Sequence, residues 1–284
     1  MSRIVYVNGA YLPEDEARVS IFDRGFLFAD GVYEVTSVLE GKLIDFPGHM
    51  ARLARSLAEL SIAAPVNEDG LLVAHRELVR LNELDEGLVY LQVTRGAAER
   101  DFVYSDDATP TIVMFTQDKP IAETIAAQTG IKVISLPDIR WARRDIKTVQ
   151  LLASSMCKTA AKAEGKDDAW LVEDGFVTEG TSNNAYIVTK SGKIVTRDLS
   201  RSLLHGITRA AVLDYAKAAQ MQIEERPFTI AEAQDAAEAF ITAASTFVCP
   251  VVEIDGVAIG SGAPGPVAKR LRELYLEESR KAAI

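Results

Sequence analysis

A two-part α+β fold is what this sequence predicts, and three observations carry that expectation. The chain has 284 residues, which is long for a single hydrophobic core. Its first part, to about residue 117, reads as hairpins bracketing helices. Gln117-Asp118-Lys119-Pro120 is the strongest linker signal in the chain. The expected division is a small N-terminal α+β domain over 1–117, a linker over 118–122 and a larger C-terminal domain over 123–284.

Each element has its own local reason. Ile4 to Val7 alternates as a strand and Asn8-Gly9 is a hairpin turn. Val32 to Leu39 is rich in β-formers. Glu40-Gly41 turns it into Leu43 to Phe46, and Pro47-Gly48 breaks the chain. His49 to Leu60 has Met50, Leu53, Leu57 and Leu60 on one helical face. Glu68 to Leu84 is a second helix, and Leu88 to Thr94 and Thr111 to Thr116 are strands. Past the linker, Gly130 to Ser135 is a strand. Val149 to Glu164 is an Ala- and Leu-rich helix stopped by Gly165. Ala169 to Val172 and Phe176 to Glu179 flank the turn Asp174-Gly175. Asn184 to Val188 and Lys193 to Thr196 flank Ser191-Gly192. Thr208 to Gln220 is helical, and Thr229 with Glu232 forms a capping box for a short helix. Phe240 to Thr242 and Val251 to Ile254 are strands, and Pro266 to Arg280 is an amphipathic helix.

Composition narrows the function. The net charge is −10, from 31 Lys and Arg against 41 Asp and Glu, so phosphate backbones and anionic lipid are repelled. Nucleic acid and membrane surfaces are therefore not expected partners. Cys157 and Cys249 match no zinc spacing and read as core residues. The longest uncharged run, Ala239 to Val252, is too short to span a bilayer. With no signal peptide legible near Arg3, Tyr6 and Asn8, the expectation is a cytoplasmic enzyme.

Two motifs are decoys. Gly260-Ser261-Gly262-Ala263-Pro264-Gly265 spells G-x-G-x-x-G, but only one helix follows it where a dinucleotide fold needs a helix and a further strand. Ser155-Met156-Cys157-Lys158, Ser182-Asn183-Asn184 and Lys190-Ser191-Gly192 mimic a penicillin-recognising serine acyl hydrolase. The last two are almost adjacent, whereas such motifs must come from separate elements to surround an acyl group.

A different set of residues suits pyridoxal 5'-phosphate, which needs an amine, an acid for its ring nitrogen, an anion seat and a substrate pocket. Lys147, in Asp145-Ile146-Lys147, offers the Schiff-base amine, and Glu179 offers the acid. Taken alone, Lys147 reads as one solvated charge among many. Gly206-Ile207-Thr208 opens a helix whose free N–H groups and dipole attract phosphate, with Thr208 a natural cap. Arg52 is a candidate cationic partner and equally reads as a surface charge.

The chain resembles the class IV (fold-type IV) pyridoxal-phosphate aminotransferases, and among them the D-amino-acid type. The resemblance rests on Asp23-Arg24-Gly25, Asp30-Gly31-Val32-Tyr33-Glu34-Val35, His49 through Leu53, Gln92-Val93-Thr94-Arg95-Gly96 and Asp138-Ile139-Arg140-Trp141. It continues through Asp145-Ile146-Lys147, Thr178-Glu179-Gly180, Gly206-Ile207-Thr208-Arg209 and Val252-Glu253-Ile254-Asp255-Gly256. What the resemblance implies is a two-domain fold with the cofactor in the cleft between domains, a homodimer, and ping-pong transfer from a D-amino acid to a 2-oxo acid. It implies Lys147 as the Schiff-base lysine and Glu179 as the pyridinium partner. Arg52, Ile207 and Thr208 would hold the phosphate, Ser182 would join a hydrogen-bond network beside the cofactor, and Leu204 would pack on the ring. Tyr33 and Arg100 would grip the substrate carboxylate, Arg100 reaching into the partner's site. Three positions depart from the family pattern. Phe102 stands where a histidine is expected in the carboxylate grip. Ala243 and Ala244 replace hydroxyl residues, leaving backbone N–H groups for the phosphate. His205 precedes Gly206 with no assigned role. A branched-chain L-amino-acid aminotransferase, an (R)-amine transaminase and an aminodeoxychorismate lyase of the same fold stay open.

Overall fold

The alternating stretches near the start of the chain become strands in the computed structural model, which describes residues 2–104 and 108–284. The first compact unit comprises Met1–Pro120, Ile146–Gln150 and Ala282–Ile284. Its elements are β1 (Ile4–Val7), β2 (Ala10–Pro13), α1 (Arg24–Phe28), β3 (Gly31–Leu39), β4 (Lys42–Leu43), α2 (Phe46–Glu59), α3 (Glu68–Leu81), β5 (Gly87–Thr94) and β6 (Thr111–Asp118). The sheet runs β2-β1-β6-β5-β3-β4, antiparallel throughout. Val32, Glu34, Thr36 and Val38 alternate inward from β3, with Val89, Leu91 and Val93 from β5. Helices α2 and α3 pack against this sheet. Buried Leu53 and Leu57 of α2 each contribute about 1.5–3 kcal/mol by area removed from water. The alternate residues Tyr33, Val35, Tyr90, Gln92 and Phe115 are half-buried.

Two local readings change here. The expected strand Leu43 to Phe46 stops at Leu43 because α2 begins at Phe46, three residues before His49. Pro47 lies in its first turn, where a missing N–H costs nothing and φ is already helical. The expected helix from Val149 starts only at Leu152. The preceding backbone is engaged elsewhere: Tyr33 N–H donates to Lys147 O at 3.0 Å and Val149 N–H to Gly31 O at 3.0 Å. The segment Ile146–Gln150 thus joins the first unit by pairing with β3, which reading the chain by position alone does not reveal.

The second compact unit comprises Ile121–Asp145 and Leu151–Lys281. It contains α4 (Ile125–Thr129), β7 (Ile131–Pro137), α5 (Leu152–Ala163), β8 (Asp168–Glu173), β9 (Phe176–Gly180), β10 (Asn184–Val188) and β11 (Ile194–Thr196). It continues with α6 (Ile207–Ala218), β12 (Ile223–Glu225), α7 (Ile230–Gln234), β13 (Glu238–Ala243), β14 (Phe247–Ile254), β15 (Val257–Ala258) and α8 (Pro266–Ala282). Nine strands form one mixed sheet in the order β12-β11-β10-β13-β14-β7-β8-β9, with β15 paired to β14. Trp170, Val177, Ile187, Phe228, Ile241 and Val251 belong to its core. Both cysteines are buried and free.

The Gly-rich decoy resolves into a helix cap. Glu238 accepts from the N–H groups of Val267 and Ala268 at 3.0 Å each, so the protein's own carboxylate occupies the start of α8. A Cβ at Gly265 would lie 2.0 Å from the Glu238 side chain, so glycine there serves close packing and leaves no phosphate cradle. Among the described residues no helix is long and apolar enough to cross a membrane.

Candidate active site

The first unit positions the candidate amine. Lys147 sits on an extended segment bridged to β3, with Val32 opposite Thr148. Its N–H points at Ser56 Oγ, 3.4 Å away on α2. Its Nζ lies 4.1 Å from the centroid of the Tyr33 ring, within range of attraction by the ring face. Among the described residues no carboxylate pairs with it. Lys147 is half-buried, so it is not the solvated surface charge that spacing alone allowed. Tyr33 stacks on Tyr90 at 5.6 Å, and Tyr90 on Phe115 at 4.7 Å. The Tyr90 hydroxyl donates to Gln92 at 2.8 Å. This row fixes the ring plane under the amine.

Arg52 is buried on α2. Its Nε and Nη2 donate to the two oxygens of Glu34 at 2.8 and 2.7 Å, and His49 Nδ1 lies 2.8 Å from the same carboxylate. Burial alone would raise Glu34, but the Arg52 guanidinium and the His49 hydrogen bond outweigh it and hold its carboxyl down at about 2. Arg100 and Phe102 are exposed, and their charge and ring meet Phe28.

In the second unit Glu179 gathers the other candidates. It is 3% exposed. Its Oε1 accepts from Arg140 Nη1 at 2.6 Å and from Leu204 N–H at 3.1 Å, and its Oε2 from Asn184 Nδ2 at 3.0 Å. Burial pushes its carboxyl above the usual range, against the pull of Arg140. Arg140 is shared: its other nitrogens hold Asp138 at 3.0 and 2.7 Å. Asp138 stays below the ordinary carboxylate range because Arg140 overcomes its burial.

Asn184 ties this acid to the start of α6. Its Nδ2 also donates to Leu204 O at 2.9 Å, and a Cβ on Gly206 would lie 2.1 Å from its Oδ1. Only glycine therefore lets the start of α6 approach so closely. Helix α6 is capped by Gly206 and not, as expected, by Thr208, which is buried in its first turn. Among the described residues no side-chain cap bond is made at this helix start, which suits an anion. Asn184 pairs in register with Thr242, so Ala243 at the end of β13 and Ala244 in the turn after it follow directly on its partner. Two positions on, Thr246 Oγ1 is buried and has no hydrogen-bond partner among the described residues. A buried acid flanked by one shared arginine, a helix start without a side-chain cap bond and a buried hydroxyl with no described partner fit the ring nitrogen and phosphate of pyridoxal phosphate.

Ser182 is exposed, while its neighbours clamp Asp168: Thr181 Oγ1 donates at 2.5 Å and Asn183 Nδ2 at 2.7 Å. Leu204 and Ile207 are half-buried. His205 Nε2 lies 3.1 Å from Ser200 O. The serine-hydrolase decoy comes apart, because Lys158 lies 3.7 Å from Asp168 and Lys190 pairs with Asp235 at 2.5 Å.

Arg140, Asn184 and Thr246 received no role from the sequence. Arg140 and Asn184 occur in common Asp-x-Arg and Asn-Asn patterns that carry no signal of their own. The hydroxyl at Thr246 was the detectable one, since Ser245-Thr246 directly follows the two alanines.

Comparison with known proteins places these residues in a family. The amino-transferase class IV family model matches residues 31–254. D-alanine aminotransferase of Bacillus licheniformis is 41% identical over 270 residues, 94% of each chain. That of Staphylococcus aureus strain MSSA476 is 34% identical over 95% of each. Among solved structures, a T.th. branched-chain amino acid aminotransferase with pyridoxamine 5'-phosphate is 26% identical at a TM-score of 0.89, covering 98% of this chain and 94% of that one. The Escherichia coli branched-chain enzyme, 20% identical at a TM-score of 0.91 and covering 98% and 95%, shares the fold. With the family model and the relatives both spanning most of its length, the chain belongs to the class IV aminotransferases.

Proposed function

We propose that this aminotransferase moves the amino group of a D-amino acid such as D-alanine to a 2-oxo acid by a ping-pong mechanism, with pyridoxal 5'-phosphate as cofactor. The observation that carries the chemistry is Glu179, a buried acid poised to meet a cation. The preference for D substrates rests on the relatives named D-alanine aminotransferase at 41% and 34% identity. When bound, the cofactor supplies an aldehyde that takes up the amino group and a ring that accepts the electrons of the Cα–H bond. Lys147 would hold the cofactor through its side-chain amine and, when that amine is free, would take the proton from the substrate Cα. Glu179 holds the proton at the ring nitrogen, and Arg140 with Asn184 holds Glu179 in place.

In the same reading Arg52, Ile207, Thr208 and the N–H groups of Ala243 and Ala244 bind the phosphate. Leu204 packs on the ring, Ser182 hydrogen-bonds beside it, and Tyr33 and Arg100 hold the substrate carboxylate. A homodimer in the cytoplasm, with Arg100 serving the partner's site, belongs to the proposal. So does the division into domains 1–117 and 123–284 around a linker at 118–122.

The test is the absorption spectrum of purified protein. A yellow band that D-alanine discharges and L-alanine does not is the expected result, and borohydride reduction with peptide mapping should mark Lys147. Faster turnover of L-leucine than of D-alanine would give the branched-chain reading instead, and faster turnover of (R)-1-phenylethylamine the amine reading.

A further inference from the structure

We infer that Phe28 and Phe102 form an aromatic shelf that sets the guanidinium of Arg100 for the substrate carboxylate, so that Phe102 acts in place of a second hydrogen-bond donor. This rests on the role proposed for Arg100 above. The Arg100 Cζ lies 5.5 Å from the centroid of Phe28 and 5.8 Å from that of Phe102. The two rings meet edge to face, 5.6 Å apart at 63°. Both distances fall within reach of cation–π attraction.

The shelf is itself anchored. Arg24 Cζ lies 4.5 Å from the Phe28 ring. The same guanidinium donates from Nε to Asp30 at 2.8 Å and from Nη1 to the carbonyl of Asp101 at 2.6 Å. Val103 N–H donates to Asp101 Oδ1 at 3.0 Å. The backbone just before Phe102 is thus tied to a buried ion pair, while the Phe102 ring stays 79% exposed.

The chemistry follows from what a phenyl ring lacks. It attracts a guanidinium through its face yet accepts no hydrogen bond of ordinary strength, so it orients Arg100 without competing for its five N–H donors. Among the described residues no carboxylate pairs with Arg100 either. The guanidinium is held at low conformational cost with its donors available for a bidentate carboxylate. A histidine at position 102 would add a second donor, and the phenylalanine leaves one oriented cation. Substrates with a carboxylate therefore depend on the shelf, and primary amines without one do not. The shelf works the same way whether Arg100 serves its own chain's site or that of a second copy.

The experiment uses the holoenzyme and propionate, a carboxylate with no amino group to react. Calorimetric Kd values are compared for the wild type, Arg100→Gln, Phe102→Leu and Phe102→Tyr. Because Phe102 is exposed, both of its variants should unfold at the wild-type temperature. Phe102→Leu should bind propionate about fivefold more weakly. Phe102→Tyr should stay within about twofold of the wild type, and Arg100→Gln should lose about tenfold or more. In steady state Phe102→Leu should raise KM for D-alanine about fivefold with kcat within about twofold, a clearly larger change than in the KM for (R)-1-phenylethylamine. Wild-type propionate affinity in Phe102→Leu or in Arg100→Gln overturns the inference, as does an equal change of KM for the amine. If the propionate pattern holds while the wild type prefers L-leucine to D-alanine, the D-amino-acid reading falls and the shelf stands.

Discussion

Glu34 and Glu179 are both buried, and each faces an arginine, yet their surroundings do opposite things. Glu34 receives two donors from Arg52 and one contact from His49, and the result is a carboxylate held at about 2. Glu179 receives one donor from an Arg140 already bound twice by Asp138, and burial leaves its carboxyl raised. A buried charge is tolerated when its partners are complete. Glu34 is complete within the chain and reads as structure. Glu179 is short of positive charge, which a protonated pyridine would provide, and this supports the role proposed for it.

The sharpest way to break this contrast is to neutralise each acid. Glu34→Gln leaves Arg52 buried against a neutral partner and should cost about 3–5 kcal/mol in urea unfolding at pH 7. Glu179→Gln removes a charge that folding disfavours, so the apoprotein should be as stable as the wild type or more so. Its kcat should fall about 10²- to 10³-fold, as for loss of an electrostatic group acting on a reacting centre. If Glu34→Gln is as stable as the wild type, or Glu179→Gln is unstable but fully active, the two roles are exchanged.

Acid titration sharpens the same comparison. The folded pKa of Glu34 is lowered, so its stabilisation is fully present above the ordinary value of 4.5 and lost as pH falls through about 2, a loss of about 3 kcal/mol. Glu179 has the opposite sign: its folded pKa is raised, so its cost is relieved as pH falls through that raised value. His75 adds an earlier acid step. Burial lowers it from 6.5 to about 4 and outweighs its hydrogen bond to Leu71. The unfolded chain takes up a proton in that window that the folded protein refuses, so stability falls from about pH 6.5 to about pH 4, also by about 3 kcal/mol. Chemical unfolding across pH should show the upper step vanish in His75→Gln and the lower one in Glu34→Gln, while Glu179→Gln keeps both.

How much of this was legible in the sequence depends on how local the cause is. Strand β3 and helix α2 follow from periodicity, and the roles proposed for Lys147 and Glu179 come from the ordered resemblance. The end of β4 at Leu43 was hidden because Pro47 reads as a breaker when it in fact opens α2. The late start of α5 was hidden because the backbone around Lys147 pairs with β3, over a hundred residues away, and no local propensity records such a partner. The hydrogen bonds of Arg140 and Asn184 to Glu179 were invisible for the same reason: what matters is the acid they converge on.

The smallest expected effect concerns Thr246, whose buried hydroxyl has no partner among the described residues. An orphaned hydroxyl costs about 1–3 kcal/mol of desolvation, so Thr246→Val should stabilise the apoprotein by about 1 kcal/mol, read as a rise in Tm without cofactor. If that hydroxyl faces the phosphate, the same variant should bind pyridoxal phosphate about five- to tenfold more weakly, because one hydrogen bond to a charged group is gone. The two measurements move in opposite directions only if the hydroxyl serves the ligand. A variant stabilised equally with and without cofactor would make Thr246 a simple packing defect beside β13, and the Glu179 cluster would then lose one of the three groups that suit it to a phosphorylated pyridine.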